Sequence, residues 1–133
     1  MKRRVAIIIF YDDNRRILLQ DRKGISKVGE EWGFFGGEIK NGETSEQAVV
    51  RETKEELDFD LNEYKYTGKY KYKVKNLFVE CIVFVSPLKD NLAKFKQKEG
   101  KNMQMFSLEE AEKLKMVSEG DIEIVRSLKK ILR

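Results

Sequence analysis

The stretch Gly36–Phe59, GGEIKNGETSEQAVVRETKEELDF, constrains this chain more than any other. Two adjacent glycines permit positive φ and a close backbone approach to a ligand. A helix start follows, because Thr44 with Gln47 three residues later forms a capping box. At about 100° per residue, a helix from Thr44 to Leu57 divides into three faces. Val49, Val50, Thr53 and Leu57 form a core stripe, while Gln47, Arg51 and Lys54 turn to solvent. Glu52, Glu55 and Glu56 occupy the third face at i, i+3 and i+4 spacing, so their carboxylates converge. A solvated face is the ordinary reading of one glutamate. Three like charges on one patch repel, and a hard divalent cation removes the conflict, since Mg²⁺ and Mn²⁺ prefer carboxylate oxygens.

The rest of the composition limits the chemistry. The 133 residues, 41% hydrophobic and 38% charged, suit one globular domain with a single core. No apolar run approaches the roughly 20 residues that span a bilayer. Met1–Arg4 before the apolar Val5–Phe10 has the outline of a signal peptide, but the run is short and Asp12 and Asp13 follow at once. A first strand is the expected structure there. The single cysteine, Cys81, excludes an internal disulfide and suits a reducing compartment; in an apolar strand it reads as packing. The absence of histidine excludes Ser-His-Asp and Cys-His machinery and histidine metal sites. A net charge of +4 and pI near 9.1 favour polyanionic partners without choosing among them.

Along the chain, Arg4–Tyr11 is a near-continuous apolar run expected as a strand covered on both faces. The turn cluster Asp12-Asp13-Asn14 leads to a second strand over residues 15–20. Arg22 and Lys23 stand at its exit, and Trp32-Gly33-Phe34-Phe35 follows a polar loop, its rings read as core before base-stacking. After the helix, Tyr64, Tyr66, Tyr70 and Tyr72 alternate with Lys65, Lys69, Lys71, Lys73 and Lys75, so one strand face is expected aromatic and the other cationic. Stacking combined with phosphate contact on one surface is then excluded, since the two groups face opposite ways. Gly68 marks a bulge or turn. Residues 77–87 read as a strand, 89–101 as a mobile lysine-rich loop, and 103–106 as a short strand. Ser107 caps a brief helix with Glu110 at its third position. Residues 118–132 form the last helix, with Ile122, Val125, Leu128, Ile131 and Leu132 at core spacing.

Gly37, Glu43 and the run Arg51-Glu52-Thr53-Lys54-Glu55-Glu56 stand at fixed spacings that resemble the Nudix box, a specific pattern. The stretch departs from the family at Asp58, where a helix-ending glycine is usual, and at Phe35, where many members carry proline. The resemblance extends more weakly over nearly the whole chain. It implies an α+β fold, a Nudix-type α/β/α sandwich with a mixed β-sheet between helices, as one domain over residues 1–133. It also implies Mg²⁺-dependent hydrolysis of a nucleoside diphosphate linked to another moiety, foremost a nucleoside triphosphate cleaved to monophosphate and pyrophosphate. Hydrolysis of ADP-ribose, nucleotide sugars or dinucleoside polyphosphates, and a non-catalytic nucleotide-sensing module, are the alternatives.

By the same resemblance, Glu52, Glu55, Glu56 and Arg51 are catalytic, with Glu52 or Glu99 as general base and an Arg51–Glu43 ion pair orienting the glutamates. Mg²⁺, with Mn²⁺ as a substitute, is held by the Gly37 carbonyl and by Glu52, Glu55, Glu56 and Glu99, the last within Lys98-Glu99-Gly100. Arg22, Phe34, Gly36 and Ser118 contact substrate, Ser118 standing where MutT-type members can carry a base-reading asparagine. The partner implied is a small nucleotide in the cytoplasm; a homodimer is compatible, and neither membrane nor nucleic acid is expected.

Overall fold

The apolar run near the N-terminus becomes β1 (Lys2–Tyr11), the strand on which the sheet is built. A computed structural model describes residues 2–22, 32–98, 102–116 and 119–132. Around β1 lie β2 (Ile17–Asp21), β3 (Trp32–Gly33), β4 (Phe35–Glu38), β5 (Lys65–Val74), β6 (Leu77–Pro87) and β7 (Met103–Phe106). The helices are α1 (Ser45–Leu57), α2 (Leu108–Glu112) and α3 (Glu119–Ile131). β1 pairs in parallel with β6 along its whole length and antiparallel with β4 through Val5–Ile8. β2 pairs antiparallel with β3 and β7, and β5 with β6, so the sheet is mixed.

Alternation along β1 sends its side chains into two cores. Ile7 and Ile9 join Val79, Cys81 and Val83 beneath α2 and α3, which supply Leu108, Ala111, Ile124, Val125 and Leu128. Ala6, Ile8 and Phe10 join Ile82 and Phe84 beneath α1, which supplies Ala48, Val49 and Leu57. The expected sandwich of a mixed sheet between helices is the observed one. Cys81 is buried; burial, then the charge of Asp121, pushes its thiol up to about 12, so it packs as an apolar group. Among the described residues no helix is long and apolar enough to cross a membrane.

Three expectations are corrected. The even-numbered tyrosines of β5 do not share a face. A β-bulge shifts the register between Tyr66 and Gly68, and the extra residue inverts the two-residue alternation beyond it. Tyr70 and Tyr72 therefore pack with the α3-side core, whereas Tyr64 packs with the α1-side core and Tyr66 lies on the same face, edge-on to Phe84. On α3, Ile124 is fully buried and Ile131 is exposed, because the stripe that meets the sheet runs through Asp121, Ile124, Val125 and Leu128. Of the loop expected over residues 89–101, the part up to 98 is anchored, residues 99–101 lying outside the described residues: a 3₁₀ turn at Asn91–Lys94 leads to Phe95, buried against Phe10 and Phe59, and the Lys96 and Lys98 amides donate to the carbonyls of Leu57 and Glu56.

Both expected capping boxes form, Thr44 with Gln47 on α1 and Ser107 with Glu110 on α2. Asp58 takes the left-handed conformation that ends α1, with φ 52° and ψ 41°, and its amide donates to the Lys54 carbonyl. Among the described glycines, Gly36 is the one where a side chain is least tolerable. Its φ is +133°, and a Cβ would strike the Ala6 carbonyl oxygen and stand 2.7 Å from the Ile7 Cα. Backbone cannot yield there without breaking the β1–β4 ladder. Gly36→Ala is expected to destabilise the chain by about 4 kcal/mol or more, the range reserved for gross backbone conflict, and a thermal melt of the purified variant measures it.

Candidate functional site

The acidic helix and the glycine strand meet through backbone. α1 packs across β4, and the Gly36 N–H donates to Glu56 Oε1 at 2.8 Å. One residue further, a Cβ on Gly37 would stand 2.6 Å from the carboxyl carbon of Glu52. No side chain fits between them. Gly37 is therefore needed for the close approach of the Glu52 carboxylate, and positive φ belongs to Gly36 rather than to both glycines.

Arg51 organises the acids around it. Its Nε and Nη2 make a bidentate pair with Glu43 at 2.7 and 2.9 Å, and Nη2 also donates to the Glu38 carbonyl at 3.0 Å. Nη1 donates to Glu52 Oε1 at 2.8 Å and reaches Glu55 at 3.3–3.4 Å. Glu43 is held on its other side by the Lys40 amide at 3.0 Å. The Arg51 hydrogen bonds, followed by that amide, lower the Glu43 carboxyl to about 2. The Glu43 carboxylate in turn raises Arg51 above its ordinary value. The ion pair expected between these two residues is formed.

The three helix glutamates differ in environment, and the expectation of one shared acidic face needs correcting. Glu56 is 2% exposed, inside the helix's buried side with Val49, Thr53 and Leu57. It follows Val49 by seven residues, a rotation of only about 20° from it. Glu52 is half-buried, and the Glu55 side chain is 54% exposed. As they stand, no three acidic side chains among the described residues meet closely enough to share an ion. Arg51 draws Glu52 and Glu55 towards itself while the Gly36 amide holds Glu56. The donor set nevertheless fits a hard cation, since carboxylates and a glycine carbonyl offer oxygen alone.

The other candidates fall elsewhere. Phe34 is buried in the α3-side core, and Trp32 packs edge-on against Phe106, which is the core role for both rings. Arg22 directly follows β2, half-buried, and among the described residues no ion pair joins it to the Arg51 cluster. Glu99 and Ser118 lie outside the described residues.

Sequence reasoning missed two contributors. The Glu38 carbonyl that receives Arg51 carries no side-chain signal at all. Gln20, fully buried, donates to the Phe34 carbonyl at 2.9 Å and so steadies the approach to β4; at the polar end of an apolar strand, followed by Asp21, it gave no distinct sign in the sequence.

A model of the NUDIX domain matches residues 1–128. The 8-oxo-dGTP diphosphatase of Escherichia coli (strain K12) is 33% identical over 72 residues, 54% of this chain and 56% of that protein. The CTP pyrophosphohydrolase of the same organism is 33% identical over 75 residues, 56% of this chain and 54% of its own. The chain thus spans about half the length of the curated relatives it matches. In fold it is similar to the MutT protein from Methanosarcina mazei Go1, with a TM-score of 0.82 at 18% identity over 99% of this chain and 96% of that one. It is likewise similar to the E. coli ORF135 protein, with a TM-score of 0.77 at 22% identity over 98% and 90%. With the glycine–glutamate seat, the Arg51 clamp and a family model covering nearly every residue, this chain belongs to the Nudix family.

Proposed function

We propose that this chain, as one domain over residues 1–133, hydrolyses nucleoside triphosphates in a Mg²⁺-dependent reaction. Water attacks phosphorus, a P–O–P bond breaks, and monophosphate, pyrophosphate and a proton leave. The observation that carries this reading is the seating of Glu52 against the bare Cα of Gly37, with Arg51 holding the carboxylate in place. The names of the relatives lend support: 8-oxo-dGTP, CTP and dihydroneopterin triphosphate differ in the ring system and share a triphosphate. A cytoplasmic location fits such a substrate.

Glu52, Glu55, Glu56 and the Gly37 carbonyl are the groups that would hold Mg²⁺ or Mn²⁺, with Glu99 added on the family resemblance. Bound there, the ion neutralises phosphate charge and lowers the pKa of a bound water. The chain's own residues supply position. Arg51 fixes Glu52 and restrains Glu55, Glu43 fixes Arg51, and the Gly36 amide aims one oxygen of Glu56. A histidine-free site suffices because phosphoryl transfer depends mainly on positioning and electrostatics. Glu52 and Glu99 are the candidates for general base.

The deciding experiment is a Mg²⁺ hydrolysis screen over nucleoside triphosphates, nucleotide sugars, ADP-ribose and dinucleoside polyphosphates, read by pyrophosphate and monophosphate release. Triphosphates are expected to lead; turnover confined to the other classes overturns the proposal. Glu55→Gln is expected to lower turnover about 10²-fold or more. Its melting temperature should stay unchanged, because Glu55 is exposed and, among the described residues, its side chain pairs only with Arg51, at 3.3–3.4 Å.

Gly37→Ala tests the seat itself. The added methyl meets a side-chain end, so the Glu52 carboxylate swings aside and the backbone survives. Isothermal titration should show weaker Mg²⁺ binding with a melting temperature close to the parent's.

Acid should loosen the clamp. The Glu43 carboxyl lies at about 2 in the folded chain against an ordinary 4.5, so its stabilisation is complete above the ordinary value and lost as pH falls through the window between them. The melting-temperature gap between the parent and Glu43→Gln should hold steady from neutral pH down to about 5 and close below it.

A further inference from the structure

The bulge in β5 has a second effect, on the open half of the α1-side face. Beyond it, Lys69, Lys71 and Lys73 stand opposite Ile82, Glu80 and Phe78 of β6, which in turn stand beside Ala6, Arg4 and Lys2 of β1. Directly opposed residues share a face, so the three β5 lysines point the same way as Tyr66 and Phe78. α1 lies over the Ala6–Phe10 end of β1, where Ala6 and Ile82 are buried, and leaves open the two outer rows that hold Lys71 with Arg4 and Lys73 with Lys2. Tyr66 is 53% and Phe78 57% exposed, at the two ends of the lysine row.

The charges are arranged to keep the row in place. Glu80, buried among the stems, receives Lys69 at 3.3 Å, Lys2 at 3.4 Å and Arg4 at 3.6 Å. One carboxylate thus gathers three cations and leaves the cluster positive. Lys71 remains exposed beside it, and the Lys73 ammonium lies 5.3 Å from the centroid of the Phe78 ring. Successive lysines along the strand are about 6.6 Å apart, a step that an extended phosphate backbone can follow.

We propose that this face of β5, β6 and β1 binds a segment of single-stranded nucleic acid, with bases on Phe78 and Tyr66 and phosphates on Lys71, Lys73 and their neighbours. Exposed aromatic rings among aligned cations match a ligand that alternates π faces with anions. An acidic peptide would use the cations and leave the rings idle. The alternation read from sequence set rings and lysines on opposite faces; the inserted residue brings Tyr66 to the face of Lys69, Lys71 and Lys73, which Phe78 of β6 shares, while Tyr70 and Tyr72 stay on the other.

The test is fluorescence anisotropy of labelled 12-nucleotide U and dT oligomers across a salt series, with polyglutamate, anionic lipid vesicles and a DNA duplex as competitors. Binding of the single strands is expected, weakening with salt. Lys71→Ala with Lys73→Ala should lower the log–log salt slope by about 0.7 for each phosphate that no longer meets a cation. Phe78→Ala should weaken binding roughly tenfold with the slope unchanged, the mark of stacking. Because it leaves every edge lysine in place, Phe78→Ala also keeps the test open should the lysine variants self-associate. Nucleoside triphosphate turnover should be unchanged in all of them. Absence of oligomer binding, insensitivity to both sets of variants, or equal competition by polyglutamate, vesicles or duplex overturns the proposal.

Discussion

The structure depends on a backbone-to-carboxylate contact between β4 and α1. Gly36 gives its amide to Glu56, and Gly37 leaves its Cα bare beneath the Glu52 carboxylate. Removing side chains from two successive strand residues lets a helix approach the sheet more closely than ordinary packing allows. The apolar contacts of Ala48, Val49 and Leu57 with β1 then supply the cohesion. In this arrangement burial holds the helix and the glycines set its distance, so the acids sit against backbone instead of in open solvent.

Arg51 answers the electrostatic question that this closeness raises. Its guanidinium contacts Glu43, Glu52 and Glu55 and the Glu38 carbonyl together, a planar fork serving several acceptors that a lysine's point charge could not order in the same way. Glu43 answers Arg51 with two hydrogen bonds, which locks the fork's plane. The exposed Glu55 is the loosest of these partners, its contacts the longest. The cluster is therefore graded from rigid to adjustable, with Glu43 and Glu56 fixed and Glu55 able to move towards a ligand.

What could be read from the sequence was written in local chemistry. Thr44 with Gln47, Ser107 with Glu110, the apolar runs of β1 and β6, and the fit of Asp58 to a left-handed cap each need only neighbouring residues. What escaped required a partner from elsewhere. Glu56 falls beside Val49 on the helix, but the Gly36 amide that donates to its buried carboxylate comes from a strand elsewhere in the chain. The tyrosines of β5 keep a clean period only if no residue is inserted, and one is. Ile131 sits at core spacing, but the contact stripe passes from Leu128 to Leu132 and leaves it exposed. The lysines of residues 89–98 suggest a loose loop, and Phe95 pins that loop by burying its ring between Phe10 and Phe59. The Arg51 cluster was legible as a pattern of charges, though not in its unequal burial.

The position of the glutamates on α1 runs against helix physics, and that conflict is informative. Glu55 and Glu56 fall in the last turn, where the partial charge of the helix end is negative and acidic residues are disfavoured. A sequence selected only for helix stability would place lysine or arginine there. This chain meets the cost with neighbouring donors: Lys54 at the same turn, the Asp58 amide on the Lys54 carbonyl, and the Lys96 and Lys98 amides on the carbonyls of Leu57 and Glu56. With the Thr44 capping box at the other end, both termini of α1 are tied down. Local preference is thus broken at one turn and repaired in part by residues from a distant stretch of the chain, which is how a fold behaves when it concentrates negative potential for a purpose other than its own stability.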